Sequence, residues 1–182
     1  MIVMGIDPGV DTGIAVVRVG SGEQELTNYG HVRWVWDGMG HVRCEKAKFY
    51  HPIVMEDIRA VVMGLPSSLQ RIAGRDPRVL PKCTMTGGMT LALLGAWAER
   101  IEYYAYDEVS AIRAIATIRK REGPRRAMSP SNGEIWTAFW AYFPEAEDMM
   151  IEQRPKNEHV RDAALYALCI RFLAKNDDWQ GD

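Results

Sequence analysis

Short apolar runs separated by polar breaks dominate the first third of the chain. Ile2–Ile6 is a compact apolar run of the kind that forms a buried strand. Asp7-Pro8-Gly9 ends it, since a residue before proline is held in extended geometry and Pro-Gly turns the chain. Gly13–Val19 reads as a second strand, joined to the first by a turn longer than two residues. Leu26–Val35 predicts a third, and Ile53–Met55 a short further strand closed by Glu56 and Asp57. Residues 59–85, with Pro66, Gly74, Pro77 and Pro81, read as a long loop or insert. From Thr86 the spacing turns helical through Leu91, Leu94, Ala98 and Ile101. Glu102–Tyr106 predicts a strand and Val109–Ile118 a helix. Ser131 and Glu134 form a helix-start signature ahead of Trp136, Phe139, Trp140 and Phe143. That aromatic stripe has helical spacing without interleaved basic residues, so it reads as core rather than as a base-stacking platform. Glu158–Ala174 predicts a last helix whose buried side is Ala163, Ala164, Ala167, Leu168 and Phe172. Strands first and helices interspersed afterwards predict a mixed α/β domain.

Composition adds little until charge is followed along the chain. The 182 residues suit one domain, 1–182, and 47% hydrophobic with 25% charged residues excludes a disordered or fibrous chain. No apolar run approaches the roughly 20 residues of a membrane helix. The amino-terminal residues do not read as a signal peptide, and Cys44, Cys83 and Cys169 are too scattered for a disulfide framework. A cytoplasmic location is the simplest expectation. Net charge is only −2, yet it is unevenly spread. Lys120, Arg121, Arg125 and Arg126 crowd one stretch, and Arg71, Arg75, Arg78 and Lys82 another, while 176–182 forms an acidic tail. Segregated basic stretches predict a polyanion-binding side.

Three acids stand where a solvated surface acid is not expected. Asp7 and Glu56 each close an apolar run, and Asp162 immediately precedes Ala163-Ala164-Leu165. His159 lies three residues before Asp162, on the same helical face. Carboxylates gathered at one end of a sheet repel one another unless cations lie between them, and oxygen ligands of this kind suit Mg²⁺.

The stretch Gly5-Ile6-Asp7-Pro8-Gly9-Val10-Asp11-Thr12-Gly13-Ile14-Ala15 resembles the first motif of the RuvC-type Holliday junction resolvases. Val54-Met55-Glu56 resembles the second motif, a glutamate ending a central strand, and His159–Leu168 resembles the third. Leu94-Gly95-Ala96 falls in a helix like the family's dimer-forming one, and Val109–Arg113 resembles the segment after its fifth strand. The ordered set covers residues 1–174, and the small size with the insert leans towards a phage-type member. The resemblance implies a ribonuclease H-like fold, with a central mixed β-sheet flanked by helices. It also implies a homodimer and paired symmetrical nicking of four-way DNA junctions. Two Mg²⁺ ions per active site, replaceable by Mn²⁺, would be held by Asp7, Glu56, His159 and Asp162, with His159 alternatively a general base. Arg59 is the nearest basic candidate for probing the junction. Arg75, Lys82, Lys120, Arg121, Arg125 and Arg126 are the candidates for phosphate contacts. The family's Gly-x-Ala-x-Lys spacing is missing, with Met128–Asn132 in its place.

Other readings remain open. Another ribonuclease H-like nuclease, acting on RNA–DNA hybrids or other branched DNA, would use the same acids. A sugar kinase or actin-type phosphotransferase also has an Asp-Gly-Thr-Gly-like loop between two strands, but the chain is short for two lobes and lacks a second phosphate motif. A DNA-binding module without catalysis is disfavoured by the acids themselves.

Overall fold

The computed structural model describes residues 1–20, 24–65, 79–95, 102–107, 131–146 and 157–170. Strands β1 (Ile2–Asp7), β2 (Asp11–Val19), β3 (Gln24–Trp36) and β4 (Val42–Phe49) run as an antiparallel meander. β5 (Ala60–Leu65) then pairs parallel to β1, and β6 (Glu102–Asp107) parallel to β5. The six strands lie in the order β4-β3-β2-β1-β5-β6, so β1 is central. Helix α1 (Val79–Leu93), α2 (Asn132–Tyr142) and α3 (Asn157–Leu168) complete the described elements. The expected mixed sheet flanked by helices is what forms.

Side-chain alternation splits the core into two layers. Val3, Ala15, Val17, Tyr29, Ala60 and Val62 face α2 and α3. Met4, Ile6, Ile14, Val16, Val32, Trp34 and Val61 face the other way, with Leu91 of α1. Strands buried on both faces read as the near-continuous apolar runs seen in β1 and β2. The small residues of α3 let it sit close: a Cβ added to Gly5 would lie 1.7 Å from the carbonyl oxygen of Ala163, and one on Gly13 would lie 2.1 Å from that of His159. Backbone therefore rests directly on backbone where α3 crosses β1 and β2. The aromatic stripe of α2 is core, as its spacing predicted, with Phe139 and Phe143 fully buried. Ser131 caps α2 in a reciprocal capping box with Glu134.

Several expectations are corrected. Ile53–Met55 forms no strand; the chain makes a single 3₁₀ turn at Met55–Asp57, and the parallel strand begins at Ala60. Residues 60–65 and 79–85, expected within a long loop, belong to β5 and α1. The apolar run Ala60–Met63 is masked in the sequence by the glycine and proline that follow it. β4 has no counterpart among the elements expected from sequence, because four of the eight residues of Val42–Phe49 are charged and only Val42 and Phe49 at its ends are partly buried. The segments 66–78, 96–101, 108–130 and 171–182 lie outside the described residues, and with them Arg75, Lys120, Arg121, Arg125, Arg126, the helix expected at 109–118, and the acidic tail. No helix among the described residues is long and apolar enough to cross a membrane.

Candidate functional site

The site forms where β1 ends. The turn after Asp7 is pinned by Thr12, whose hydroxyl donates to the carbonyl of Gly9 at 2.9 Å. This fixes the exit of β1 and aims Asp7 towards α3. Because Gly13 permits the close approach of α3, the first turns of that helix lie over Asp7. His159 Nδ1 meets Asp7 Oδ2 at 2.6 Å, joining residues 152 positions apart. Asp162, one turn further along α3, is close enough to Asp7 to raise its pKa by like-charge repulsion.

Electrostatics at this point favour protons. Asp7 is pushed up from 3.8 to about 6, first by burial, with the His159 hydrogen bond opposing and Asp162 adding to the rise. His159 is raised, chiefly by its hydrogen bond to Asp7 and against the effect of burial. Asp162 is also raised by burial, although the adjacent guanidinium of Arg161 pulls the other way. Arg161 is itself buried. Its Nε donates to Asp162 Oδ1 at 2.6 Å, its Nη1 donates to Asn132, and its planar group lies 4.8 Å from the centre of the Trp136 ring. Sequence reasoning missed this arginine; a charged residue inside the small apolar face of α3 was the available signal. It also left His31 unassigned. His31 is buried on β3 with Nε2 3.3 Å from Asp11 Oδ1, and its ring centre is 6.4 Å from that of His159. Asp–His pairs thus stand side by side at this end of the sheet.

Glu56 is not among them. β5 runs parallel to β1 with Val3 beside Ala60 and Ile6 beside Met63. Asp7 is therefore level with Gly64, whereas Glu56 precedes Ala60 and lies beyond the opposite end of the strand pair. Four residues of strand alone separate Asp7 from the Val3 level, roughly 13 Å. Glu56 is exposed in the 3₁₀ turn there, and Arg59, also exposed, hydrogen-bonds through its backbone to Ile2 at the same far end. Neither joins the Asp7 cluster. The position on β5 that faces α3 beside Asp7 is Gly64, and a Cβ there would lie 2.2 Å from the Tyr166 ring. The ring fills the volume in which a strand-end glutamate would stand. Lys82, on α1, places its ammonium 5.7 Å from the Trp36 ring centre.

These residues do not fit the two-ion arrangement expected from the sequence. Among the described residues, no group of three or more His, Cys, Asp or Glu side chains is arranged to hold a metal ion. Asp7 and Asp162 nevertheless put two buried carboxylates near one another, the oxygen donors that a divalent cation such as Mg²⁺ or Mn²⁺ takes, while His159 Nδ1 is already engaged by Asp7. A buried carboxylate pushed up to about 6 beside a second carboxylate is the kind of pair that such a cation relieves.

No protein-family model matches the sequence, and neither does any curated protein. Solved structures do. A Thermus thermophilus RuvC structure aligns over 97% of this chain and 96% of its own, with 16% identity and a TM-score of 0.49. The T. thermophilus RuvC in complex with Holliday junction substrate aligns over 97% of each chain, with 17% identity and a TM-score of 0.47. The yeast mitochondrial Holliday junction resolvase Ydc2 aligns over 98% of this chain and 81% of its own, with 15% identity and a TM-score of 0.57. At such identity the likeness is one of fold: the chain has the ribonuclease H-like α/β fold that it shares with Ydc2.

Proposed function

We propose that this protein is a structure-selective endodeoxyribonuclease that resolves four-way DNA junctions by paired symmetrical nicks, acting as a homodimer. The observation that carries the reading is the meeting of Asp7, His159 and Asp162 at the end of the central strand, on a fold shared with a Holliday junction resolvase. A two-fold substrate calls for two identical sites related by a two-fold axis.

Asp7 and Asp162 would hold one divalent cation, Mg²⁺ or Mn²⁺, with His159 serving as the base rather than as a ligand. When bound, that cation supplies Lewis-acid stabilisation of the charge that builds on the phosphate. The rest belongs to the side chains. Asp7 holds His159 through Nδ1, which fixes the ring and leaves Nε2 for an attacking water. The imidazole is 44% exposed while Asp7 is 10% exposed, so it is the histidine that reaches a substrate. His159 takes the water's proton as oxygen adds to phosphorus, and the P–O bond to the leaving strand end breaks. Arg161 acts behind Asp162, holding its carboxylate in place from the buried side.

The test is cleavage of a synthetic four-way junction in Mg²⁺ or Mn²⁺, beside linear duplex, flap and RNA–DNA hybrid controls. Paired nicks at symmetrical positions, lost in His159→Ala, support the proposal. Preferential cutting of hybrid or flap DNA would instead make it a different ribonuclease H-like nuclease.

A further inference from the structure

The ribbon formed by β3 and β4 carries a charge pattern that the site already described does not use. Cross-strand register places Asp7 level with Gly13, Gly13 with His31, and His31 with Lys48. One row thus runs straight from the candidate site to the sheet's edge. The next row outward is Asp11, Arg33 and Lys46, and beyond it Val35 stands opposite Arg43. Residues level with one another across a sheet point to the same face. Gly13 and Tyr29 fix which face this is, since they look towards α3 and the core layer beneath it. Arg43, Lys46 and Lys48 therefore project on the face that carries Asp7, His159 and Asp162.

The opposite face of β4 is different in kind. Val42, Cys44, Ala47 and Phe49 lie there, level with Trp36, Trp34, Val32 and Gly30, and Val42 and Phe49 pack on the second core layer. A bulge after Lys46 sets Glu45 out of register, where it pairs with Arg33 at 3.0 Å. Asp37 is engaged by His41 at 2.8 Å near the hairpin tip, and Glu25, at the far end of β3, pairs with Arg18 at 2.6 Å. All three acids of the ribbon are thus bound to neighbours, and the three outer cations form a one-sided basic row. Lysines that merely guard an edge strand against pairing need no such sidedness.

We propose that this row, Arg43, Lys46 and Lys48, is a binding surface for the phosphate backbone of one duplex arm leading away from the scissile bond. The inference rests on the nuclease reading above and adds its substrate-gripping surface. Lys48 lies three strands from Asp7, about 14 Å at the usual strand spacing. From Arg43 to Lys48 the row spans roughly 17 Å, about five base-pair rises of duplex. A duplex arm tracked over that length presents several phosphates to three flexible side chains.

The experiment compares wild type with the triple variant Arg43→Gln/Lys46→Gln/Lys48→Gln, binding a fluorescein-labelled four-way junction by anisotropy across a salt series. Each lost phosphate contact lowers the slope of log K against log [salt] by about 0.9. The triple variant is expected to lose about 2 to 3 from that slope and to bind at least tenfold more weakly at low salt. Its single-turnover cutting rate at saturating junction stays unchanged, while the junction concentration needed for half-maximal rate rises. Arg18→Gln, at the other end of the sheet, serves as a distant single-charge control and leaves the slope unaltered. All three side chains replaced are exposed, and circular dichroism checks that the variant folds. A triple variant with the wild-type slope overturns the proposal. A wild type that binds no junction overturns the underlying nuclease reading instead.

Discussion

Replacing Asp7 with asparagine is expected to make the protein more stable at neutral and alkaline pH while abolishing cleavage. The carboxyl is buried and its pKa is raised from 3.8 to about 6. A raised value means that the folded state holds the proton more tightly than the unfolded chain does. Its contribution is fully present below 3.8 and is lost as pH rises through about 6. A proton held roughly a hundredfold more tightly is worth about 3 kcal/mol, which is the upper figure for the cost of keeping Asp7 ionised at pH 8. Asparagine mimics the protonated form in size and neutrality, and should recover about 1 to 3 kcal/mol of this. In a chain of 182 residues that is a rise in Tm of about 2 to 12 °C.

Urea unfolding followed by tryptophan fluorescence, at pH 8 and pH 5 with chelator present, measures the gap. It should shrink by roughly half at pH 5, because wild-type Asp7 is then largely protonated. The raised pKa of His159 acts in the same direction: its protonated form is favoured in the folded state, and that gain fades as pH rises through its folded value. Adding Mg²⁺ should then narrow the difference at pH 8, since a cation at about one hundred times its Kd stabilises wild type by about 2.7 kcal/mol and leaves the asparagine variant unaided. An Asp7→Asn protein no more stable than wild type at pH 8, or a gap that does not respond to pH, would refute the assignment of burial as the dominant cause.

Glu56→Gln should leave both junction cutting and stability within about 0.5 kcal/mol of wild type, as expected for an exposed residue at the far end of the sheet; loss of cutting would return Glu56 to the site. Manganese titration followed by electron paramagnetic resonance should fill one site per chain, and none in Asp7→Asn; two sites of similar affinity would contradict the closure of the Gly64 position by Tyr166. Gly13→Ala should cost about 3 kcal/mol or more in urea unfolding and weaken manganese binding with it, because its Cβ would lie 2.1 Å from the His159 backbone and no rotamer relieves a clash with a helix's main chain.

Much of this architecture is legible in the chain itself. Asp7-Pro8-Gly9, the strand from Gly13, the capping box at Ser131 and the helical face of Ala163 and Ala164 each rest on local rules that tertiary packing does not override. So does the placing of His159 and Asp162 on one helical turn. What fails is non-local. Glu56 reads as a strand end because it follows three apolar residues, yet Ile53–Met55 is too short to hold a place beside β1, and Ala60–Leu65 takes that place. A parallel strand has no turn to fix its register, so sequence offers no direct sign of which run pairs with β1. β4 escapes for another reason: its apolar and charged positions do alternate, but the bulge at Glu45 breaks the period and four charged residues leave only Val42 and Phe49 as large apolar members.

The same non-local packing explains why the site is arranged as it is. Asp7 could be made comfortable by solvent, but α3 lies too close for that, because Gly5 and Gly13 let the helix backbone settle on the sheet. The close approach delivers His159 and Asp162 to Asp7 and strips water from both carboxylates while leaving the imidazole half-exposed. Each carboxylate then has one protein partner, His159 for Asp7 and Arg161 for Asp162, and each is still raised above its ordinary pKa. Two partners of opposite charge therefore do not offset the desolvation. Apolar residues would be more stable here, and the divalent cation proposed above is a ligand whose charge would offset the deficit of the two acids.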